Sequence, residues 1–428
     1  MIMNLPEEFT AYTRSLIGDE RYQRLVEGLA AEPPVSIRLN LFKADSDTVE
    51  IPLADEPVPW CKGGYYLKQR PEFTFDPLFH AGLYYVQEAS SMFLHHVLRQ
   101  TVDRPVVMLD LCAAPGGKST VARAALPEGS VLFSNEPMRQ RAQILNENIL
   151  KFGHPDVVAT NNYARDYRRT GLLFDVVLAD VPCSGEGMFR KDEGAIAEWS
   201  PQNVDRCRRL QREIVADIWP QLRPGGILIY STCTFNAHEN EENAAWIARE
   251  LGAEFIEIDT PEEWNITGPL VGKDPVYRFL PGYSRGEGLF MAVLRKAGDS
   301  PLEGGKNKQG LKMLNILSHG IKPDETKGKN LIPDISKALS IQADKEAYPH
   351  VEVSWEQAIS YLRHEAVSLP ADTPRGVVLL TYQGQPIGFE KNIGNRANNL
   401  YPQEWRIKST HVPEKPEILI MKQKPNTQ

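Results

Sequence analysis

The sequence predicts an α/β protein: a doubly wound, Rossmann-like parallel sheet between a small α+β N-terminal domain and a β-rich C-terminal module. Three observations carry that expectation. The middle third alternates short apolar runs with helix-length amphipathic stretches, the pattern of strands joined by right-handed crossovers. The first of these runs passes into its helix through Gly116-Gly117, a turn in which the backbone can come close to a ligand. Finally, 428 residues are too many for one core, so two to four domains are expected.

Residues 1–100 read as the α+β domain: helices Glu7–Ile17 and Glu20–Ala30, a strand Val35–Leu41, a loop-rich stretch, and a helix from Gln87 to Arg99. The sheet domain, 101–297, has strands at Val106–Leu111, Val131–Ser134, about 157–160, Asp175–Ala179 and Gly226–Ser231. Its helices are Lys118–Ala125, Arg139–Phe152, Pro201–Leu222 and Glu239–Leu251; the third opens on Ser-Pro and stops at Pro224-Gly225-Gly226. Residues 298–346, rich in Gly, Lys, Asp and Pro, read as a low-order linker or small intermediate domain. The last module, 347–428, has strands Gly376–Tyr382, Pro386–Lys391 and Glu417–Lys422, the first two joined by a Gln383-Gly384 turn.

Composition excludes several classes. With 42% hydrophobic and 24% charged residues the chain is neither disordered nor collagen-like. Its longest apolar runs, such as Val176–Leu178 and Ile227–Tyr230, are strand-sized, against the roughly 20 residues of a membrane helix. The opening M-I-M-N-L-P-E-E-F lacks the basic and apolar regions of a signal peptide, so a soluble cytoplasmic protein is expected. Lys+Arg 48 against Asp+Glu 56 leaves −8, the wrong sign for coating nucleic acid by bulk charge. RNA would need local patches: Arg165, Arg168 and Arg169; Arg190 and Lys191; Arg206, Arg208 and Arg209. Solvated helix faces give the same pattern. The five cysteines contain no C-x-x-C pair, so neither a metal site nor a disulfide framework is expected.

In a parallel sheet the ligand sits beyond the carboxyl ends of the strands. D-L-C-A-A-P-G-G-K, residues 110–118, leaves the first strand, and Glu136 ends the second, where an acid grips a ribose diol. G-x-G-x-x-G is missing and Pro115 stands in the turn, which disfavours a pyrophosphate cradle. A cofactor with a ribose and no phosphate fits, and S-adenosylmethionine is the candidate. Two more strands end in D-V-P-C-S-G and S-T-C-T, so neighbouring strands would bring Cys183 and Cys233 to one edge. Thiols there suit a carbon target. Carbon 5 of cytosine is not nucleophilic, but addition of a thiolate to carbon 6 gives an enamine that can attack a sulfonium methyl.

At these residues the sequence resembles the Sun-type RNA (cytosine-5)-methyltransferases. The resemblance rests on D-L-C-A-A-P-G-G-K, D-V-P-C-S-G-E-G-M-F-R-K, S-T-C-T, Y-V-Q-E-A-S-S-M at 85–92, W-S-P-Q at 199–202 and R-P-G-G at 223–226. It implies a Rossmann-like class I methyltransferase core, with Cys233 as nucleophile and Cys183 assisting breakdown of the covalent adduct. It also implies that Cys112, Ala113, Ala114, Pro115, Gly116, Gly117, Lys118, Glu136 and Asp180 contact the cofactor or the target base. A protonated Asp180 would hydrogen-bond the cytosine ring nitrogen as negative charge builds. Asn162 falls where the family has an acid that contacts adenine, and its amide oxygen could accept instead.

Arg-Leu-Asn at 38–40 resembles the family's substrate-binding N-terminal extension, and residues 382–407 resemble a PUA-like RNA-binding tail. There Lys391, Arg396 and Arg406, interleaved with Tyr401 and Trp405, would meet phosphates and stack on bases, while Lys191 or Arg190 would reach RNA from the Pro-Cys loop. The expectation is a monomer that makes 5-methylcytosine in RNA, in 16S ribosomal RNA or the 30S subunit. Transfer RNA is the alternative substrate. A non-catalytic RNA-binding assembly factor and an NAD-dependent oxidoreductase are the rival classes.

Overall fold

The computed structural model describes residues 4–44, 49–299, 308–327, 330–417 and 419–422. At its centre is a nine-stranded sheet. Its strands are β1 (Val107–Asp110), β2 (Val131–Asn135), β3 (Val157–Thr160), β4 (Phe174–Asp180), β5 (Leu222–Thr232), β6 (Ala253–Phe255), β7 (Val276–Phe279), β8 (Leu289–Lys296) and β9 (Ile316–His319). The spatial order is β6-β8-β5-β4-β1-β2-β3-β9, with β7 also paired to β8. From β5 through β3 the neighbours are parallel, and β8 and β9 run antiparallel at the two flanks. Strand order reverses between β1 and β4, which opens a crevice at their carboxyl ends.

The parallel strands read as continuous apolar runs because both faces are covered. Val176 and Leu178 enter a layer shared with α1 (Gly117–Ala125), α2 (Arg139–Phe152) and the helix Phe93–Thr101. Val177 and Ala179 enter the opposite layer, with α3 (Pro201–Ile218) and α4 (Glu241–Leu251). Ser200 caps α3 by accepting from Asn203 N at 3.1 Å.

The far end of α3 differs from expectation. The helix stops at Ile218, a 3₁₀ turn covers Trp219–Gln221, and β5 already begins at Leu222. Pro220 has no N–H to give the carbonyl of Ala216, and Arg168 supplies the missing donor at 3.1 Å. Pro224-Gly225-Gly226 becomes an irregularity inside β5.

Before the central sheet, strands Ala54–Pro57, Gly64–Leu67, Val35–Leu39 and Tyr84–Val86 form a small antiparallel sheet. The helices Glu7–Ile17 and Asp19–Ala30 pack instead on Phe189, Trp199, Phe235 and Leu280 of the sheet domain. Where one helix from Gln87 was expected, a 3₁₀ turn at Ser90–Met92 precedes Phe93–Thr101, with Glu88 accepting from the Ser90 and Ser91 N–H groups.

Within the stretch read as a linker, Ile316–His319 is the edge strand β9, and Ala338 and Leu339 pack with Leu150 of α2. Residues 300–307 of that stretch lie outside the described residues. The C-terminal module has strands His350–Glu352, Gly376–Tyr382, Gln385–Asn392 and Ala397–Asn399. It also has a helix, Trp355–Leu362, that the reading of strands and turns missed. Its signal was Ser354 and Gln357, a capping box. Of the last expected strand, Met421–Lys422 pairs with Val49–Glu50, and residue 418 lies outside the described residues. No helix among the described residues is long and apolar enough to cross a membrane.

Candidate active site

The parallel register of β4 and β5 sets Asp180 opposite Ser231. Ser231 Oγ donates to Asp180 Oδ1 at 2.7 Å, and Lys118 Nζ, from the first turn of α1, stands 2.9 Å from Oδ2. One carboxylate oxygen thus faces a hydroxyl and the other an ammonium. Three residues past Asp180 and two past Ser231, the chains bring the Sγ atoms of Cys183 and Cys233 to 3.3 Å.

These two thiols share one hydrogen bond and titrate in opposite directions. The bond from Cys183, helped by the Lys118 charge, holds Cys233 below the ordinary thiol range against burial and Asp180. The same bond, together with burial, pushes Cys183 well above it. Of the two, Cys233 is therefore the readier to ionise and Cys183 the readier to keep its proton. Burial is the largest single influence on the Lys118 ammonium and lowers it, but the charge and hydrogen bond of Asp180, with the charges of Cys233 and Asp110, together hold it above its ordinary value.

The loop from Cys112 to Lys118 turns at Gly116, whose φ of 119° is open to glycine. Arg141 and Asn148 of α2 hold it by donating to Ala114 O at 3.0 Å and Pro115 O at 2.8 Å. Beside it lies a cavity of about 380 Å³ lined by Cys112, Glu136, Met138, Asn162, Tyr163, Pro182 and Ile214, among others. Glu136 is 1% exposed; one carboxylate oxygen accepts from Met138 N, and the other has no hydrogen-bond partner. Arg141 stands 3.6 Å from that oxygen, too far for a hydrogen bond. A buried acceptor left open on an apolar-walled cavity fits the hydroxyls of a ribose. Asn162 borders the cavity, but its amide oxygen accepts from Asn315 N at 3.0 Å rather than standing free.

Sequence reasoning passed over several groups here. Asp110, the first letter of its motif, is fully buried; it accepts from Ser119 through one oxygen while the other lacks a partner, and burial lifts it to about 7. Glu186, Asn236 and Glu239 link the two cysteine loops. They were hidden because their partners are 50 residues away in the chain. Glycines flanking Glu186 and the F-N after S-T-C-T were the available signal.

The basic residues separate into two kinds. Arg190 is interior: it donates to Glu287 at 2.8 Å, Gly28 O at 2.9 Å and Gly286 O at 2.7 Å. Lys191 is 38% exposed and pairs with Glu287 at 3.0 Å. Arg168 caps α3, and Arg208 and Arg209 pair with Asp205 as a solvated helix face does. Arg38 and Asn40 are buried, joining the small sheet to Thr120 of α1 and to Phe152 O of α2. Arg396 and Arg406 are exposed on the C-terminal module. Tyr401 and Trp405 are not base-stacking platforms: at 2% and 9% exposure they form the module's own core with Tyr361.

Comparison with known proteins follows the same division. Residues 98–295 match the family described as 16S rRNA methyltransferase RsmB/F. Residues 5–89 match the N-terminal domain of 16S rRNA methyltransferase RsmF, and 348–407 the methyltransferase RsmF PUA domain. A methyltransferase homolog protein from Pyrococcus horikoshii shares 26% identity, with a TM-score of 0.57 over 69% of this chain and 96% of that one. The structure of NSun6 from the same organism with SFG, at 20% identity and TM-score 0.59, covers 70% of this chain and 100% of its own and shares the fold. Ribosomal RNA small subunit methyltransferase F of Pectobacterium atrosepticum is 28% identical over 441 residues, 86% of this chain and 89% of the relative. That of Escherichia coli O9:H4 (strain HS) is 30% identical over 409 residues, 81% of this chain and 84% of the relative. Matched in all three parts and along most of its length, the chain belongs to the ribosomal RNA small subunit methyltransferase F family.

Proposed function

We propose that this protein transfers a methyl group from S-adenosylmethionine to ring carbon 5 of cytosine in 16S ribosomal RNA, acting as a cytoplasmic monomer on the small subunit or its RNA. The observation that carries the reading is the 3.3 Å contact between Cys183 and Cys233 beside the Lys118–Asp180 pair. In this assignment 1–100 and 347–428 bind RNA, 101–297 is the methyltransferase domain and 298–346 connects the last two. The names of the relatives support the substrate.

Glu136 would hold the cofactor ribose, the Cys112–Lys118 loop would border its methionine part, and Met138 and Tyr163 would wall its base. When bound, S-adenosylmethionine supplies an electrophilic methyl group. The chain's own residues prepare the cytosine to take it. The Cys233 thiolate adds to carbon 6, and the electron pair moves toward carbon 5 and ring nitrogen 3. A proton passed from the Lys118 ammonium through Asp180 would meet the charge on that nitrogen. After transfer a base must take the carbon 5 proton, and the electron pair of that C–H bond re-forms the 5,6 double bond as the sulfur–carbon 6 bond breaks and the thiolate is expelled. Cys183, in contact with the departing sulfur, is placed to assist that release. A paired target base must leave its stack to reach this edge of the sheet.

The test is methyl transfer from labelled S-adenosylmethionine to unmodified ribosomal RNA, small subunits and transfer RNA in parallel, with bisulfite sequencing of the products. Label at a cytosine of 16S RNA is the expected result. Label in transfer RNA alone would overturn the substrate, and cofactor binding without label in any RNA would favour the assembly-factor class.

A further inference from the structure

Two almost completely buried carboxylates stand behind the thiols. Glu186 is 1% exposed and Glu239 0%. Buried carboxylates without a cation persist only when donors replace the lost water, and here the donors come from particular places. Glu186, three residues after Cys183, accepts from the backbone N–H groups of Phe235 at 2.6 Å and Asn236 at 2.9 Å, just past Cys233. Glu239, six residues after Cys233, accepts from the N–H of Ser184 at 3.0 Å, the residue next to Cys183. Each acid reaches from one cysteine's loop to the other's.

Asn236 joins the two acids, its amide donating to Glu186 at 3.1 Å and to Glu239 at 2.8 Å. Trp199 and Gln211 complete the set at 2.9 Å and 2.6 Å. Two further bonds cross between the same loops: Ser184 Oγ to Thr234 Oγ1 at 2.9 Å, and Gly187 N to Cys233 O at 2.7 Å. A Cβ on Gly187 would fall 2.6 Å from that carbonyl oxygen, so the approach depends on glycine.

We propose that Glu186 and Glu239, bridged by Asn236, are positioning residues that hold the two cysteine loops in the one register that brings Sγ of Cys183 against Sγ of Cys233. The catalytic part of this inference rests on the function proposed above; the geometric part does not. Burial lifts Glu239 to about 7 against the pull of its donors, in keeping with a carboxylate kept for its geometry at an electrostatic cost. Glutamine is the telling replacement. Every carboxylate oxygen of the pair faces N–H donors, so an amide group sets donor against donor in either orientation while volume is unchanged.

The experiment uses the full chain and two readouts. One is the rate at which diamide couples Cys183 to Cys233, the thiols losing two protons and two electrons as the diazene is reduced to a hydrazine, followed by peptide mapping. The other is kcat for methyl transfer beside KM for S-adenosylmethionine. Glu186→Gln and Glu239→Gln are expected to slow coupling about tenfold and to lower kcat about 10- to 100-fold, as a misplacement near 1 Å does. KM is expected to stay within about twofold, because neither glutamate lines the cavity beside Glu136. Thr234→Val, which deletes one crossing bond without adding a donor, gives the same pattern at about threefold should a glutamine variant fail to fold. Coupling at the wild-type rate in folded variants would overturn the proposal, whatever happens to melting temperature or kcat. Slowed coupling in a protein whose wild type methylates no RNA would keep the clamp and remove its catalytic meaning.

Discussion

Cys183 and Cys233 are 50 residues apart in the chain, yet their sulfurs stand 3.3 Å apart, within hydrogen-bonding distance. The parallel pairing of β4 with β5 puts Asp180 beside Ser231, so both chains leave the sheet together. The environment then divides the roles. Hydrogen bonding from Cys183 favours the thiolate on Cys233, and the same bond keeps the proton on Cys183. Two chemically identical side chains are thus set apart in acidity by their surroundings.

That division predicts how alkylation responds to a mutation. Replacing Cys183 with alanine removes the donor that stabilises the Cys233 thiolate, so the titration of Cys233 moves upward. At neutral pH its alkylation by iodoacetamide is expected to slow about tenfold, with the rate recovering as pH rises. Mass spectrometry of the Cys233 peptide across a pH series reads this directly. An unchanged profile would mean that Cys183 does not set the charge on its neighbour.

The open oxygen of Glu136 predicts a cofactor effect. Glu136→Ala is expected to weaken S-adenosylmethionine binding about 10- to 100-fold, the worth of hydrogen bonds to a charged acceptor. Calorimetric titration measures it. Wild-type affinity would remove Glu136 from the cofactor site.

Glu390 predicts a pH effect far from the sheet. It is fully buried in the C-terminal module, neither carboxylate oxygen has a partner, and burial lifts it from 4.5 to about 7. Between those values the folded state holds a proton the unfolded chain has released. Stability from this group is therefore full below pH 4.5 and is lost as pH rises through 7, by about 3 kcal/mol at most. Glu390→Gln is expected to flatten that slope. Thermal unfolding at pH 5 and pH 8 checks it, and an equal slope in both proteins would contradict it.

Much of this was legible in the chain, and the exceptions have physical causes. Strands β1, β2, β4 and β5 and the acids and thiols at their ends follow from apolar runs and motif spacing, because a strand buried on both faces leaves an unbroken signature. The clamp residues Glu186 and Glu239 were not legible, since their partners are contacts across loops rather than local patterns. Charge runs left two readings open, and the structure spends them internally. Arg168 is spent on the Ala216 carbonyl that Pro220 leaves open, and Arg190 on an interior ion pair, so neither is a free phosphate contact. Tyr401 and Trp405 looked like stacking platforms because aromatic and basic residues alternate there, but a small module needs its aromatic rings for its own core.

The account stands on Cys233 as the nucleophile and Cys183 as the residue that helps release it. The most direct measurement is to incubate the Cys183→Ala protein with S-adenosylmethionine and substrate RNA, and to look for a denaturation-stable protein–RNA adduct by gel and peptide mapping. The predicted result is an adduct that accumulates, maps to Cys233 and disappears when Cys233→Ala is added. Methyl transfer that proceeds without an adduct in Cys183→Ala, or survives in Cys233→Ala, would contradict it.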